Sequence, residues 1–150
     1  MRFNQAGSYP SCDAYLRTTV ATYAGMCNLV SDAFRACCEN DGLAEQALTP
    51  GRGPVVHVGD VGCGTNGQYR GRSGGPRDIV YINTRVADEY EIGGRWDIFE
   101  STVLHEMVHW ARFRAGHPSR FNGNEAGKEF ETRAYGRDIS CGCYAGCEDA

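Results

Sequence analysis

The segment that most constrains the fold is residues 97–114, where a helical pattern carries two histidines and a glutamate among apolar residues. Asp97 and Glu100 have the spacing of a capping box at its start. Gly116 and Pro118 supply stop signals just beyond its end. The pattern therefore predicts a helix over this range, with the charged and histidine side chains in its middle.

His105 and His109 are four residues apart, so on this helix their imidazoles share one face with Glu106 beside them. The surrounding side chains are apolar: Val103, Leu104, Met107, Val108 and Ala111. Burying two histidines and a glutamate among them is costly without a partner ion. The HExxH pattern therefore predicts Zn²⁺ held by the two histidines. The alternative is a buried helix whose histidines are satisfied by hydrogen bonds, since HExxH also arises by chance.

Zinc at such a site polarises a scissile carbonyl and lowers the pKa of its bound water toward about 7. Glu106 is then placed to take the proton from that water as general base and to pass it to the leaving amine. The pattern thus predicts zinc-dependent hydrolysis of peptide bonds.

A catalytic zinc site needs a third protein ligand. The extended motif HExxHxxGxxH is excluded, because Arg112 and Ala115 occupy its glycine and last histidine positions. Three carboxylates downstream remain as candidates: Glu125, Glu129 and Glu131. Helical spacing puts Glu131 on the more apolar face of the next helix and Glu129 on a face expected to meet solvent. We therefore predict Glu131 as the third ligand.

The stretches "LHEMVHWARF" and "FETRAYG" resemble the zincin metallopeptidases, in particular the gluzincin-like group and the toxic metallopeptidase modules of secreted bacterial effectors. The resemblance covers about residues 78–138. It implies an α+β minimal zincin-like domain with an active-site helix and a small β-sheet. The spacing from His109 to Glu129 is similar to that of thermolysin-like enzymes and keeps Glu129 open as a ligand. Cys63 leaves another resemblance open, because peptide deformylases combine HExxH with an upstream cysteine ligand.

Zincin substrates lie extended along an edge strand and add a strand to the sheet by backbone pairing. The segment "DIVYIN", residues 78–83, is the strongest strand pattern and the predicted edge. Tyr135 or His117 is predicted to stabilise the oxyanion, and Tyr135 is the catalytic candidate of the two. The alternatives are a core tyrosine and a loop histidine. His57 is expected to be structural.

Eight cysteines in 150 residues predict a disulfide framework. Cys37 and Cys38 are expected to have separate distant partners, and the group Cys141, Cys143 and Cys147 to be tied back to the domain. Disulfides point to a secreted or periplasmic protein. The alternative for the last three cysteines is a second metal site. The first residues lack the apolar region of a signal peptide.

The remaining sequence fits a single domain over residues 1–150. Residues 11–40 read as one helix or two, with Ser11 as N-cap and Gly25 as the weak point. "VVHVGDV" reads as a short strand, and the glycine-rich residues 62–76 as a surface loop.

A net charge of −4 and the lack of a basic stripe argue against nucleic acid as a partner. No apolar run approaches the roughly 20 residues of a membrane span. The expected partners are a protein or peptide substrate and an inhibitor or immunity protein. Two other functions stay open: a zinc amidohydrolase acting on a cell-wall peptide, and a disulfide-rich binding module without enzymatic activity.

Overall fold

The structure, a computed structural model, describes residues 1–139. This range folds as α+β, as predicted, with six α-helices and two small sheets. The helices are Pro10–Thr18 (α1), Leu29–Cys38 (α2), Asp41–Leu48 (α3), Thr84–Gly93 (α4), Trp96–Arg114 (α5) and Ala126–Tyr135 (α6). The strands are Arg2–Phe3 (β1), Val55–Gly59 (β2), Gly67–Tyr69 (β3), Ile79–Asn83 (β4), Arg120–Phe121 (β5) and Asn124–Glu125 (β6).

The first helical region breaks where predicted, because a 3₁₀ helix over Val20–Gly25 separates α1 from α2. The predicted N-cap, Ser11, is wrong. Helix α1 begins at Pro10, whose fixed φ and missing N–H suit the first turn, and its N-cap is Tyr9. Helix α3 follows after a turn in which the side chain of Asn40 accepts a hydrogen bond from the backbone N–H of Leu43 at 2.9 Å.

The main sheet has the strand order β1-β2-β4-β3. The first three of these strands run parallel, and β3 is antiparallel to β4. The strand predicted in "DIVYIN" is confirmed as β4, but its prediction as the edge strand is wrong. It lies inside the sheet, because β2 pairs with one side and β3 with the other, and its Val80 and Ile82 are fully buried. The edge strand next to it is β3, which comes from the glycine-rich segment read as a loop.

Helix α5 packs against the sheet and four other helices, with the bounds that the sequence predicted to within two residues. The predicted capping box is not formed, since the N-cap is Arg95 and no side chain caps the helix. Glu100 is instead fully buried. Its carboxylate accepts hydrogen bonds from the hydroxyls of Tyr15 (2.9 Å), Tyr23 (2.5 Å) and Tyr135 (2.6 Å). These bonds fix α1, the 3₁₀ helix and α6 to α5.

The apolar core lies between the sheet and the helices, and its largest members are aromatic. Helix α2 packs against α6 through Phe34 and Phe130, whose rings meet edge-on with centroids 6.0 Å apart. Among residues 1–139, no helix combines the length and the apolar character that crossing a bilayer requires.

Arg112 occupies the glycine position of the excluded motif HExxHxxGxxH. Its side chain is almost completely buried, at 1% exposure. Its guanidinium donates to the backbone carbonyls of Pro118 (2.8 Å), Cys37 (2.8 Å) and Arg120 (3.0 Å) and to a carboxylate oxygen of Glu39 (2.8 Å). The arginine therefore joins the end of α2 to the chain that leaves α5. Through Arg120 it also fixes strand β5.

The prediction that most of the eight cysteines are paired is wrong. Cys12, Cys27, Cys37 and Cys38 are free thiols. Three of them are buried, and they pack on the inner faces of α1 and α2 as small apolar side chains. Cys63, the remaining cysteine of the described range, is not a free thiol. The predictions for Cys141, Cys143 and Cys147 lie outside the described residues.

We predict that Arg112→Ala lowers the free energy of unfolding by about 2 kcal/mol or more, because the buried carbonyl of Cys37 and the partly buried carbonyls of Pro118 and Arg120 lose their donor. Urea unfolding followed by circular dichroism measures this. Arg114→Ala is the control, since Arg114 lies on the same helix but forms an exposed pair with Asp78. Its loss should cost less than about 1 kcal/mol. Equal losses in the two variants would contradict the assignment.

Candidate metal centre and cleft

Helix α5 brings His105 and His109 to one face, one turn apart. Their ring centroids lie 5.2 Å apart, and their side chains are 12% and 14% exposed. Glu106 lies beside them, with Oε2 at 3.9 Å from Nε2 of His105. One ligand atom from each of these three residues lies within 4.8 Å of the other two. The three residues that the sequence singled out therefore form one compact group.

A second carboxylate, that of Glu125, faces both histidines. One oxygen contacts Nε2 of His109, and the other lies 3.3 Å from Nε2 of His105. The same carboxylate is the N-cap of α6, where it accepts hydrogen bonds from the backbone N–H groups of Gly127 (2.8 Å) and Lys128 (3.2 Å). The helix end thus holds Glu125 in place against the two Nε2 atoms.

Glu131, the predicted third ligand, reaches the site from the opposite side. It is fully buried on α6, and its Oε2 lies 2.5 Å from Nδ1 of His105. That nitrogen faces away from the group formed by the Nε2 atoms and Glu125. A carboxylate on the second ring nitrogen of a ligand histidine fixes its tautomer and its orientation.

Glu129, the other candidate on α6, is buried at 8% exposure and is not the solvent-facing residue that helical spacing suggested. Its carboxylate accepts hydrogen bonds from Arg133 (2.6 Å) and Asn124 (2.7 Å), which lower its pKa. These bonds turn it toward its own helix and the preceding strand. The structure does not bring Glu129 to the histidines.

The two predicted oxyanion residues are engaged elsewhere. The hydroxyl of Tyr135 donates to Glu100, and burial together with that carboxylate raises the pKa of Tyr135. His117 is paired through Nε2 with the backbone carbonyl of Glu39 at 3.0 Å. Neither side chain lines the cleft beside Glu106. In this structure both side chains therefore form their hydrogen bonds away from the cleft.

Gly127 permits the close approach of α6 to His105. A Cβ atom built at this position would overlap the imidazole ring of His105 itself. Because the ring is held between Glu125 and Glu131, it has no room to turn away. Any larger residue at position 127 must displace the histidine or the helix. Sequence analysis missed this residue, although a glycine in the first turn of a helix is a costly choice that needs a reason.

The cleft in front of the group His105, Glu106 and His109 has two halves, which meet at Gly67, His105 and Glu106. The Arg72 half, of about 280 Å³, is also lined by Gln68, Tyr69, Arg72, His109 and Ser119. The Lys128 half, of about 200 Å³, is also lined by Gly64, Thr65, Asn66, Thr102, Glu125 and Lys128. Strand β3 lines both halves through Gly67, and it lines the Arg72 half also through Gln68 and Tyr69. A Cβ at Gly67 would meet Thr102 at 2.8 Å and Glu106 at 3.0 Å, so only glycine lets this strand lie so close.

The charges of this group suit a divalent cation. Burial raises the pKa of Glu106. Burial lowers the pKa of His105, but Glu106, Glu125 and Glu131 outweigh that effect and raise it well above its usual value. Three carboxylates thus surround two imidazoles in a poorly hydrated place. Two histidine nitrogens and one carboxylate form the donor set of catalytic zinc sites, so the residues present fit a zinc ion.

The comparisons with known proteins agree with this chemistry. A sequence model of the family described as metallopeptidase toxin 3 matches residues 5–136. Comparison with curated proteins and with solved structures finds no significant match.

We predict that Gly127→Ala weakens zinc binding at least about tenfold, because the added methyl group displaces His105 from its place between two carboxylates. Competition with a chromophoric chelator measures the affinity. Gly93→Ala is the control, since Gly93 also lies in a helix and a methyl group added there would meet nothing within 4 Å outside its own helix. Equal affinity of the two variants would show that the contact does not position the histidine.

Proposed function

The chain belongs to the metallopeptidase toxin 3 family, and from this premise we propose that it hydrolyses peptide bonds with a zinc ion bound between α5 and α6. The observation that carries the proposal is the convergence of three side chains on one point. Nε2 of His105, Nε2 of His109 and the carboxylate of Glu125 face each other there. When bound, zinc polarises the scissile carbonyl and makes water a stronger acid.

We propose Glu125 as the third ligand in place of Glu131. Its two oxygens already face both Nε2 atoms, whereas Glu131 contacts the other nitrogen of His105. The backbone N–H groups at the start of α6 hold Glu125 in this orientation. Glu131 is then the residue that orients His105 and increases the basicity of its Nε2.

Glu106 is proposed as general base. It follows His105 on the helix, is buried, and lines both halves of the cleft. Its carboxylate accepts the proton of the attacking water and later delivers it to the leaving amine. Burial excludes competing water from this carboxylate.

Strand β3 is the proposed place for the substrate backbone. Among the described strands, β4 pairs with one side of β3 and none pairs with the other. Gly67 at its start lies against Glu106, so a peptide added to the free edge would pass the base. The substrate is therefore expected to be a protein or peptide in extended conformation.

The family name also bears on the biological setting. A toxin domain acts on other cells, so we propose that the protein is secreted and that an inhibitor or immunity protein restrains it in the producing cell. The free thiols of α1 and α2 weaken the cysteine argument for an oxidising compartment, and the proposal rests mainly on the family. Family membership also favours the peptidase over a binding module without activity.

We predict that Glu125→Ala abolishes stoichiometric zinc binding, because one of three ligands is lost. Glu131→Gln should retain zinc with an affinity reduced about 10- to 100-fold, as expected for a residue that orients a ligand. Elemental analysis and chelator competition at pH 7 measure both. Glu129→Gln is the control and should bind zinc like the wild type. Full zinc in Glu125→Ala with loss of zinc in Glu131→Ala would reverse the assignment.

We predict that Glu106→Gln lowers kcat on a cleaved peptide by about 10²- to 10⁴-fold while zinc content and circular dichroism stay unchanged, because the residue carries protons and does not hold the metal. Mass spectrometry of a proteome-derived peptide mixture first identifies cleaved bonds in the wild type. A cell-wall peptide assayed in parallel distinguishes peptidase from amidohydrolase. Undiminished turnover in Glu106→Gln would remove the base.

A further inference from the structure

We propose that Arg72 selects substrates that carry a carboxylate close to the scissile bond, either an Asp or Glu side chain or a free C-terminus. This inference rests on the proposed peptidase function and names the substrate class for its cleft. Arg72 lines the same half of the cleft as His105, Glu106 and His109. Among residues 1–139, no other arginine lines that half.

The local charge supports this choice. The chain carries a net charge of −4, yet residues 61–77, which include strand β3 and the turn after it, contain three arginines and no acidic residue. The arginines are Arg70, Arg72 and Arg77. The segment that contributes β3 and Arg72 to the cleft is thus positive in a protein that is negative as a whole, and such a segment attracts and orients an anionic peptide.

The guanidinium of Arg72 is held in a defined place. One Nη2 hydrogen is donated to the backbone carbonyl of His117 at 2.6 Å, which ties the turn after β3 to the chain after α5. The guanidinium carbon lies 5.5 Å from the ring centre of Phe113, and that ring packs against Tyr69 with centroids 6.0 Å apart. An arginine that is anchored in this way loses little side-chain entropy when it binds a ligand.

The positive charge of Arg72 is also not offset by an ion pair with any carboxylate of residues 1–139, because its hydrogen bond goes to a neutral carbonyl. The basic residue of the other half differs in this respect. Lys128 lies 3.9 Å from the carboxylate of Asp138. Arg72 therefore keeps both its charge and its remaining N–H donors for a ligand.

A carboxylate is the ligand that fits this arrangement. The guanidinium offers parallel N–H donors that match two carboxylate oxygens. A volume of about 280 Å³ accepts a side chain or a chain end. Glu106 bounds the same half, so the charged group is held on the arginine side while the uncharged scissile amide lies beside the base.

The experiment compares matched peptides on zinc-loaded protein. A peptide cleaved by the wild type is resynthesised with Glu, Gln or Lys at each position near the cleaved bond, and with a free or an amidated C-terminus. We expect at least about tenfold higher kcat/KM for the carboxylate form at one position, and loss of this preference in Arg72→Gln. The position that matters separates a side-chain carboxylate from a terminal one.

The control is Arg77→Gln. Arg77 belongs to the same positive segment and approaches the same Phe113 ring, at 5.9 Å, but it does not line the cleft. Its removal changes the overall field equally and should leave the preference intact. Absence of any preference in the wild type, or equal loss in both variants, overturns the proposal.

A second measurement separates this proposal from that of hydrolysis. Fluorescence anisotropy follows binding of the labelled Glu and Gln peptides to zinc-loaded Glu106→Gln protein, with and without Arg72→Gln. If the wild type cleaves nothing, extended peptides long enough to pair with β3 are used, in matched Glu and Gln forms. Tighter binding of the Glu peptide that depends on Arg72 supports the carboxylate site even if hydrolysis fails. Binding that ignores the substitution overturns it.

Discussion

The contact between the first turn of α6 and the ring of His105 is the constraint on which the site depends. Gly127 lets the helix approach, and the carboxylates of Glu125, the N-cap of α6, and Glu131, within α6, then reach the two nitrogens of one imidazole. Two elements that are distant in sequence are thereby joined at the histidine. The surrounding structure keeps them there: Glu100 binds a tyrosine of α6, and Arg112 holds the strand that leads into it.

Much of the fold could be predicted from local patterns. The bounds of α5 followed from its apolar spacing and stop signals, and β4 from its β-branched residues, because both elements are buried and their patterns are continuous. The position of β4 inside the sheet could not be read this way. Its neighbour β3 has three residues and lies in a glycine-rich stretch, where hydrophobic periodicity carries no signal.

The candidate site, too, could be predicted from local patterns only in part. His105, Glu106 and His109 lie on one helix, so their spacing alone placed them together. The third carboxylate depended on the hairpin before α6, where Asn122 and Gly123 have positive φ and turn the chain back toward α5. Helical periodicity correctly placed Glu131 on the buried face of α6. Its carboxylate, however, contacts Nδ1 of His105 and not Nε2. Glutamate is an uncommon N-cap. Glu125 at the N-cap position of α6 was therefore the feature of the sequence that could have indicated a further role for this residue.

Glu125 has two tasks, and this has a thermodynamic consequence. The carboxylate that faces the histidines is also the acceptor for the first backbone N–H groups of α6. Occupancy of the centre and order of that helix are therefore linked equilibria, so a ligand that binds the folded state raises the apparent stability with its concentration. If zinc binds as proposed, a melting temperature for this protein has meaning only at a stated free zinc concentration, and a chelator would act on the fold as well as on the chemistry.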